Sequence, residues 1–173
     1  MRLYAGRCAA IATDMLQQLL EAEAIEIEAE DAEEVHLDIE SVLREYIRVE
    51  RDITDRAREM ISDRGLDFNQ VTKLKSKLAD ERGFGIGDKA IEYLTHQVIE
   101  ALFHSRNVAE IYAEDHALRK VMRDVLREHL RVNDDLDQEV RRRIKNLQEG
   151  TSSWEIEYHK VMEDLKRVKG LGT

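Results

Sequence analysis

Four stretches of this chain hold residue types at spacings that chemistry uses. Gly83-Phe84-Gly85-Ile86-Gly87-Asp88-Lys89 resembles a phosphate cradle, because amides at a helix N-terminus hold anions. Its context argues otherwise: a helical pattern precedes it, the spacing is not that of a P-loop, and Asp88 would repel a phosphate. A hinge between two halves is the better expectation. Glu33-Glu34-Val35-His36 contains Glu-x-x-His, which puts two ligands on one helix face in carboxylate-bridged metal bundles. Such a centre needs a second copy and further inward glutamates, and His36 lies off the apolar stripe, so a surface histidine is expected and no metal. His129 falls on a buried stripe and reads as a hydrogen-bonded core or interface histidine. Cys8 has Arg7 beside it, but one neighbouring charge does not make a nucleophile, and a packed cysteine is expected. No nucleophile, base and oxyanion-donor set converges at recognisable spacing, so the sequence names no catalytic residue and no cofactor.

Charge is the stronger signal. The chain has 173 residues with a formal net charge of −10 and 37% charged residues, against about 25% in ordinary globular chains. Between Cys8 and Leu43 there are eleven acids and no lysine or arginine: Asp14, Glu21, Glu23, Glu26, Glu28, Glu30, Asp31, Glu33, Glu34, Asp38 and Glu40. Basic residues gather at Lys73, Lys75 and Lys77, at Arg141, Arg142 and Arg143, and at Lys166, Arg167 and Lys169. Solvated helix faces account for each cluster at the simplest level. The sharper expectation is a bipolar surface whose acidic pole, with Glu26, Glu28 and Glu30, meets a basic protein partner. Lys73 to Lys77 and Arg141 to Arg143 are the residues that would serve nucleic acid instead.

The elements that would position these residues come in two similar sets. Val42-Leu43-Arg44-Glu45-Tyr46-Ile47-Arg48-Val49 returns as Val125-Leu126-Arg127-Glu128-His129-Leu130-Arg131-Val132, 83 residues later, and nine of the twenty positions from Val42 to Ile61 are identical across that offset. One inserted residue upstream brings Ala29-Glu30-Asp31 onto Ala113-Glu114-Asp115. Helical periodicity alone aligns apolar positions but does not repeat Arg, Glu and Asp at the same places. A tandem duplication is expected, one domain over 1–173 made of repeats at about 1–84 and 85–173.

Proline is absent, which favours long helices. Ile11, Met15, Leu16, Leu19 and Leu20 make one helical stripe, and Ala24-Ile25-Glu26-Ile27-Glu28 switches to the alternation of a strand. Asp31 with Glu34 predicts an N-cap. From there Val35, Ile39, Val42, Tyr46, Val49, Ile53, Ala57 and Met60 run three and four apart until Gly65, a helix of roughly 50 Å. Phe68, Val71, Leu74 and Leu78 form the next stripe. The second set repeats the order. Ile91, Leu94, Val98 and Leu102 come first, then an extended piece at Val108 and Ile111. Leu118, Met122, Val125, His129, Val132, Leu136, Val140, Ile144 and Leu147 follow as far as Gly150. A capping box at Ser152-Ser153-Trp154-Glu155 opens a last helix striped by Trp154, Tyr158, Val161, Leu165 and Val168. The fold class is all-α, with a pseudo-twofold relation between the repeats and the two long helices packed across each other.

Short helix, short extended piece, long helix, loop and short helix is the element order of the histone fold, and two copies resemble a histone-fold doublet in one chain. In sequence, the whole chain is similar to the bacterial family called domain of unknown function 507. Leu37-Asp38-Ile39-Glu40, Glu81-Arg82-Gly83-Phe84-Gly85-Ile86-Gly87, Ala113-Glu114-Asp115-His116 and Trp154-Glu155-Ile156-Glu157-Tyr158 carry that resemblance, together with Met1-Arg2-Leu3-Tyr4. It implies no activity.

The single cysteine excludes an intrachain disulfide and suits a reducing cytoplasm. No run approaches the roughly 18 apolar residues of a membrane span, and the N-terminus lacks a secretory apolar stretch. The expected protein is a cytoplasmic helical interaction module without enzymatic activity, either a monomeric pseudodimer or a homo-oligomer. The alternatives are a nucleic-acid-associated histone-like doublet and an enzyme whose pocket is assembled from distant residues.

Overall fold

The structure, a computed structural model, describes residues 3–65, 67–148 and 151–168, and the side chains of all of these but Phe68, Val132 and Asn133. Gly150 and Lys169, and the side chains expected on the stripes at Phe68 and Val132, lie outside the described residues. Among the described residues the protein is all-α apart from one two-residue strand pair. Its elements run α1 (Cys8–Glu21), β1 (Ile25–Glu26), α2 (Ala32–Asp63), α3 (Val71–Glu81), α4 (Ala90–His104), β2 (Glu110–Ile111), α5 (Asp115–Arg143) and α6 (Ser152–Val168).

The long helix α2 forms because an apolar stripe repeats without interruption while its solvent side is laced by ion pairs three and four apart. Arg44–Glu40 at 2.5 Å and Arg48 with Glu45 and Asp52 at 2.6 and 2.8 Å are among these. Val35, Ile39, Tyr46, Ile53 and Ala57 of the expected stripe are buried, and the covered face extends to one side of it. Leu43 and Ile61 are fully buried, while Val42, Val49 and Met60 are only half-buried at its edge. On α6 the buried residues are Tyr158, Met162 and Leu165, and Val168, expected on the stripe, is 81% exposed.

The caps also differ in place. Asp31 ends a 3₁₀ turn over Ala29–Asp31 and makes no side-chain cap bond. Thr151, one residue before the expected box, caps α6 by accepting the Trp154 N–H on Oγ1 at 3.3 Å. The C-terminus of α1 closes on Glu23 at φ 51°, a left-handed conformation that usually falls to glycine. There the Ala24 and Glu23 N–H groups bond back to Leu19 O and Leu20 O.

Helices α1 and α4 each pack on both long helices, α2 and α5, while α3 packs on α2 and α6 on α5. Among the described residues, the extensive contacts of the long helices are thus with the short helices rather than with each other, which differs from the expected direct crossing. Positions 83 residues apart share burial along this frame. Ile11 and Leu94, Met15 and Val98, Leu19 and Leu102, Ile39 and Met122, Leu43 and Leu126, and Tyr46 and His129 are all buried. The main core runs from Leu3 to Leu130, and a second cluster of Leu136, Val140, Ile144, Tyr158, Met162 and Leu165 holds α6 to the end of α5.

The two extended pieces pair with each other. β1 and β2 are antiparallel, with Ile25 opposite Ile111 and Glu26 opposite Glu110. The Ala109 N–H reaches Glu26 O at 2.9 Å, and the N–H groups of Tyr112 and Ala113 reach Ala24 O at 2.9 and 3.1 Å. Ile25 faces the core and Glu26 the solvent, as strand alternation requires.

The glycine-rich joint, expected as a hinge between the halves, is a packed corner. Gly83 ends α3 at φ 63°, with the Phe84 N–H on Ala79 O. Gly85 is buried so tightly that an added Cβ would stand 2.5 Å from Tyr93 Cβ and 2.7 Å from Lys89 O. Phe84 stacks on Tyr46 and meets Tyr93 at a tilt of 59°, both at 4.8 Å between centroids, and the Tyr46 hydroxyl donates to Gly85 O at 3.1 Å.

Candidate functional site

The acids between Cys8 and Leu43 divide into two groups. Some are used internally. Asp14 accepts from His129, Glu21 from the Gln17 and Gln18 amides, and Asp38 from the Ser105 hydroxyl at 2.6 Å. Glu40 is nearly buried and held by Arg44. Glu26 is exposed and accepts the Tyr112 hydroxyl, a bond that raises the phenol's pKa above its ordinary value. The others, Glu23, Glu28, Glu30, Asp31, Glu33 and Glu34, form no side-chain ion pair among the described residues. They occupy the turn before β1, the loop after it and the first turn of α2. There the helix dipole favours negative charge. Glu110 and Glu114 from the second half stand exposed at the same ribbon and at the entry to α5.

The basic clusters behave in the opposite way. Arg141 lies 2.7 Å from Asp137 and over the Trp154 ring, Arg143 is 3.2 Å from Glu139, and Arg142 is 3.6 Å from the same carboxylate. Lys75 joins Glu50 at 2.8 Å across α3 and α2, and Lys77 lies 3.9 Å from Glu81. Lys73 is exposed on α3. Most of the positive charge that sequence singled out is therefore matched by a carboxylate on its own or the adjoining helix.

His129 is buried, and both its ring nitrogens are engaged. The Arg7 guanidinium donates to Nδ1 at 2.9 Å, because a guanidinium has no lone pair to offer. The ring proton therefore sits on Nε2, which donates to Asp14 Oδ2 at 2.6 Å. This Asp14–His129–Arg7 chain braces α1 and the segment before it against α5. Sequence reading placed His129 inside but did not find its partners, which lie 115 and 122 residues away.

The remaining reactive types are packed. Cys8 is fully buried, donates to Tyr4 O at 3.6 Å, and burial pushes its pKa up to about 11. His36 is half-buried between α2 and α1 rather than on the surface. Its Nε2 reaches Ala9 O at 3.1 Å beside the Thr13 hydroxyl. Lys89, which a phosphate loop would need, is tied to Asp80 at 2.7 Å. No group of three or more His, Cys, Asp or Glu is placed to hold a metal ion among the described residues. Grooves mark the surface of the described residues. One of about 360 Å³ lies over the Tyr46–Phe84–Tyr93 cluster between α2 and α4, and an apolar one of about 610 Å³ lies between α1 and the start of α2.

A family model described as a protein of unknown function, DUF507, matches residues 1–171. The chain belongs to the DUF507 family. No curated protein matches it. Among the described residues of this DUF507 chain, no helix is long and apolar enough to cross a membrane.

Proposed function

We propose that this chain is a non-enzymatic protein-interaction module of the cytoplasm, whose acidic face binds a basic surface or tail of another protein. The observation that carries this reading is the unequal treatment of charge. Among the described residues, Glu28, Glu30, Glu33 and Glu34 stand without a counter-ion beside Glu26 and Glu110, whereas Arg141, Arg142 and Arg143 at the end of α5 are each matched by a carboxylate. Uncompensated like charge at one pole is a cost that a basic partner removes, and it steers that partner by long-range attraction. The same pole disfavours a phosphate backbone, which needs clustered and available positive charge.

The module is one domain of two repeats, about 1–84 and 85–173, related by a pseudo-twofold. Shared burial at an offset of 83 and the reciprocal packing of α1 on α5 and α4 on α2 support this. The element order within each repeat is that of a histone fold, here carrying acids where a DNA-binding doublet would carry bases. Whether the chain acts as a monomeric pseudodimer or as a homo-oligomer is decided by its mass in solution.

The test is capture of partners by the tagged protein from its own cells. A specific partner released by rising salt, and lost when Glu26, Glu28 and Glu30 are changed together to lysine, is the expected result. Micromolar or tighter duplex DNA binding at physiological salt, abolished by neutralising Lys73, Lys75 and Lys77 or Arg141 to Arg143, would establish the nucleic-acid reading in its place.

A further inference from the structure

The groove between α1 and the start of α2 has an apolar floor and an acidic rim. Ala9, Leu16 and Ala32 line it, Leu20 stands 38% exposed at its side, and Glu21 and Glu33 flank it. Leu37, one turn after Glu33 on α2, is 45% exposed. Small residues create the opening. At the corresponding place in the second half, Glu92 stands 83 residues after Ala9 and Arg119 stands 83 after His36. Arg119 spans from α5 to Glu92 at 3.6 Å while holding Asp115 at 2.5 Å. An ion pair crosses there, where the first half has alanine and histidine.

The polar atoms that reach the groove are largely used, and His36 Nδ1, which has no hydrogen-bond partner among the described residues, is buried away from it, 4.0 Å from Glu40. The Thr13 hydroxyl donates to Ala9 O at 3.0 Å, and His36 Nε2 lies 3.1 Å from the same carbonyl. No convergent set of donors is left to orient a small polar ligand. An apolar anion, such as a fatty acid, would meet Glu21 and Glu33. Two parallel constraints remain, apolar contact along the floor and positive charge at the edges.

We propose that this groove seats an amphipathic helix of a partner protein, with leucine-type residues at i, i+3, i+4 and i+7 turned inward and lysine or arginine set against Glu21 and Glu33. The proposal rests on the reading of the acidic segment as the face for a basic partner, and it names the part of that partner that docks. Charge complementarity selects the occupant: the groove lies within the segment of the chain that has eleven acids and no base.

The test uses the full-length protein and two labelled probes, a designed helical peptide with leucines on one face and lysines on the other, and polylysine, followed by fluorescence anisotropy. The leucine–lysine helix should bind saturably and more tightly than polylysine. Leu20→Gln with Leu37→Gln, and separately Glu33→Lys, should each weaken it about tenfold or more, and Phe103→Gln on α4 should leave it unchanged. All of these positions are exposed, and circular dichroism checks that each variant is folded. If the helix binds no tighter than polylysine, or loses as much affinity with Phe103→Gln as with the groove variants, the groove proposal is overturned and the acidic face stands. If neither probe binds, both readings are overturned.

Discussion

Glu26 lies directly opposite Glu110 in the β1–β2 ribbon. The offset that aligns Ala29-Glu30-Asp31 with Ala113-Glu114-Asp115 maps the first of these glutamates onto the second. A residue paired with its own counterpart is what the proposed twofold requires where it crosses the chain. Like charges facing each other across strands are unfavourable, so Glu110→Gln should stabilise the protein by about 0.2–1 kcal/mol in urea unfolding. Glu26→Gln should do less, because the Glu26 carboxylate accepts the Tyr112 hydroxyl.

The His129 brace should show as coupling. Asp14→Asn or His129→Gln alone leaves a buried or half-buried partner with a lost bond and should cost about 1–3 kcal/mol. In a double-mutant cycle the pair should couple by about 0.5–3 kcal/mol, toward the low end because Asp14 is 53% exposed. A coupling of zero would mean that the 2.6 Å contact contributes nothing to stability.

Alkaline pH should unfold the protein. Cys8 is pushed by burial from 9.0 to about 11, and Tyr46 and Tyr158 are raised above 10.0, both chiefly by burial, with Asp137 also accepting the Tyr158 hydroxyl. Each group keeps its proton in the fold at a pH where the unfolded chain has begun to lose it. The stabilisation is complete below the unfolded-state values and is lost as pH rises through the folded ones. Stability should therefore fall from pH 9.0 upward, by at most about 1.4 kcal/mol per pH unit for each titrating group. Urea unfolding as a function of pH measures this. Tyrosinate absorbance should rise for Tyr46 and Tyr158 only with unfolding.

The halves should not fold alone. Residues 1–84 lack α4 and α5, against which α2 and α1 pack, so Ile39, Leu43 and Met15 would lose their cover. Such a fragment should show little cooperative unfolding as a monomer in urea. A sharp monomeric transition would show that the first repeat carries its own core.

Much of the architecture is a local property and was legible in the residues. Period-3.6 stripes, alternation at Ala24 to Glu28, the absence of proline and the stop at Gly65 depend only on neighbours a few positions away, and they marked α1, β1, α2 and the joint at Gly83. The pairing of Arg141 by Asp137 and of Arg143 by Glu139 was equally available, since i,i+4 spacing brings those charges together on any helix. The burial of Leu43 rather than Val42 at the edge of the α2 stripe was not, because α1 and α4 together decide which edge of an amphipathic face is covered. Nor were the β1–β2 register, the partners of His129 and the opening beside Leu20. The first two depend on which surfaces meet across some 80 to 120 residues of chain, and the groove depends on volume that Ala9 and Ala32 leave unfilled between two packed helices. Sequence thus determined the helices and the imbalance of charge. Tertiary packing decided which charges stay uncompensated and where an apolar surface is left open beside them.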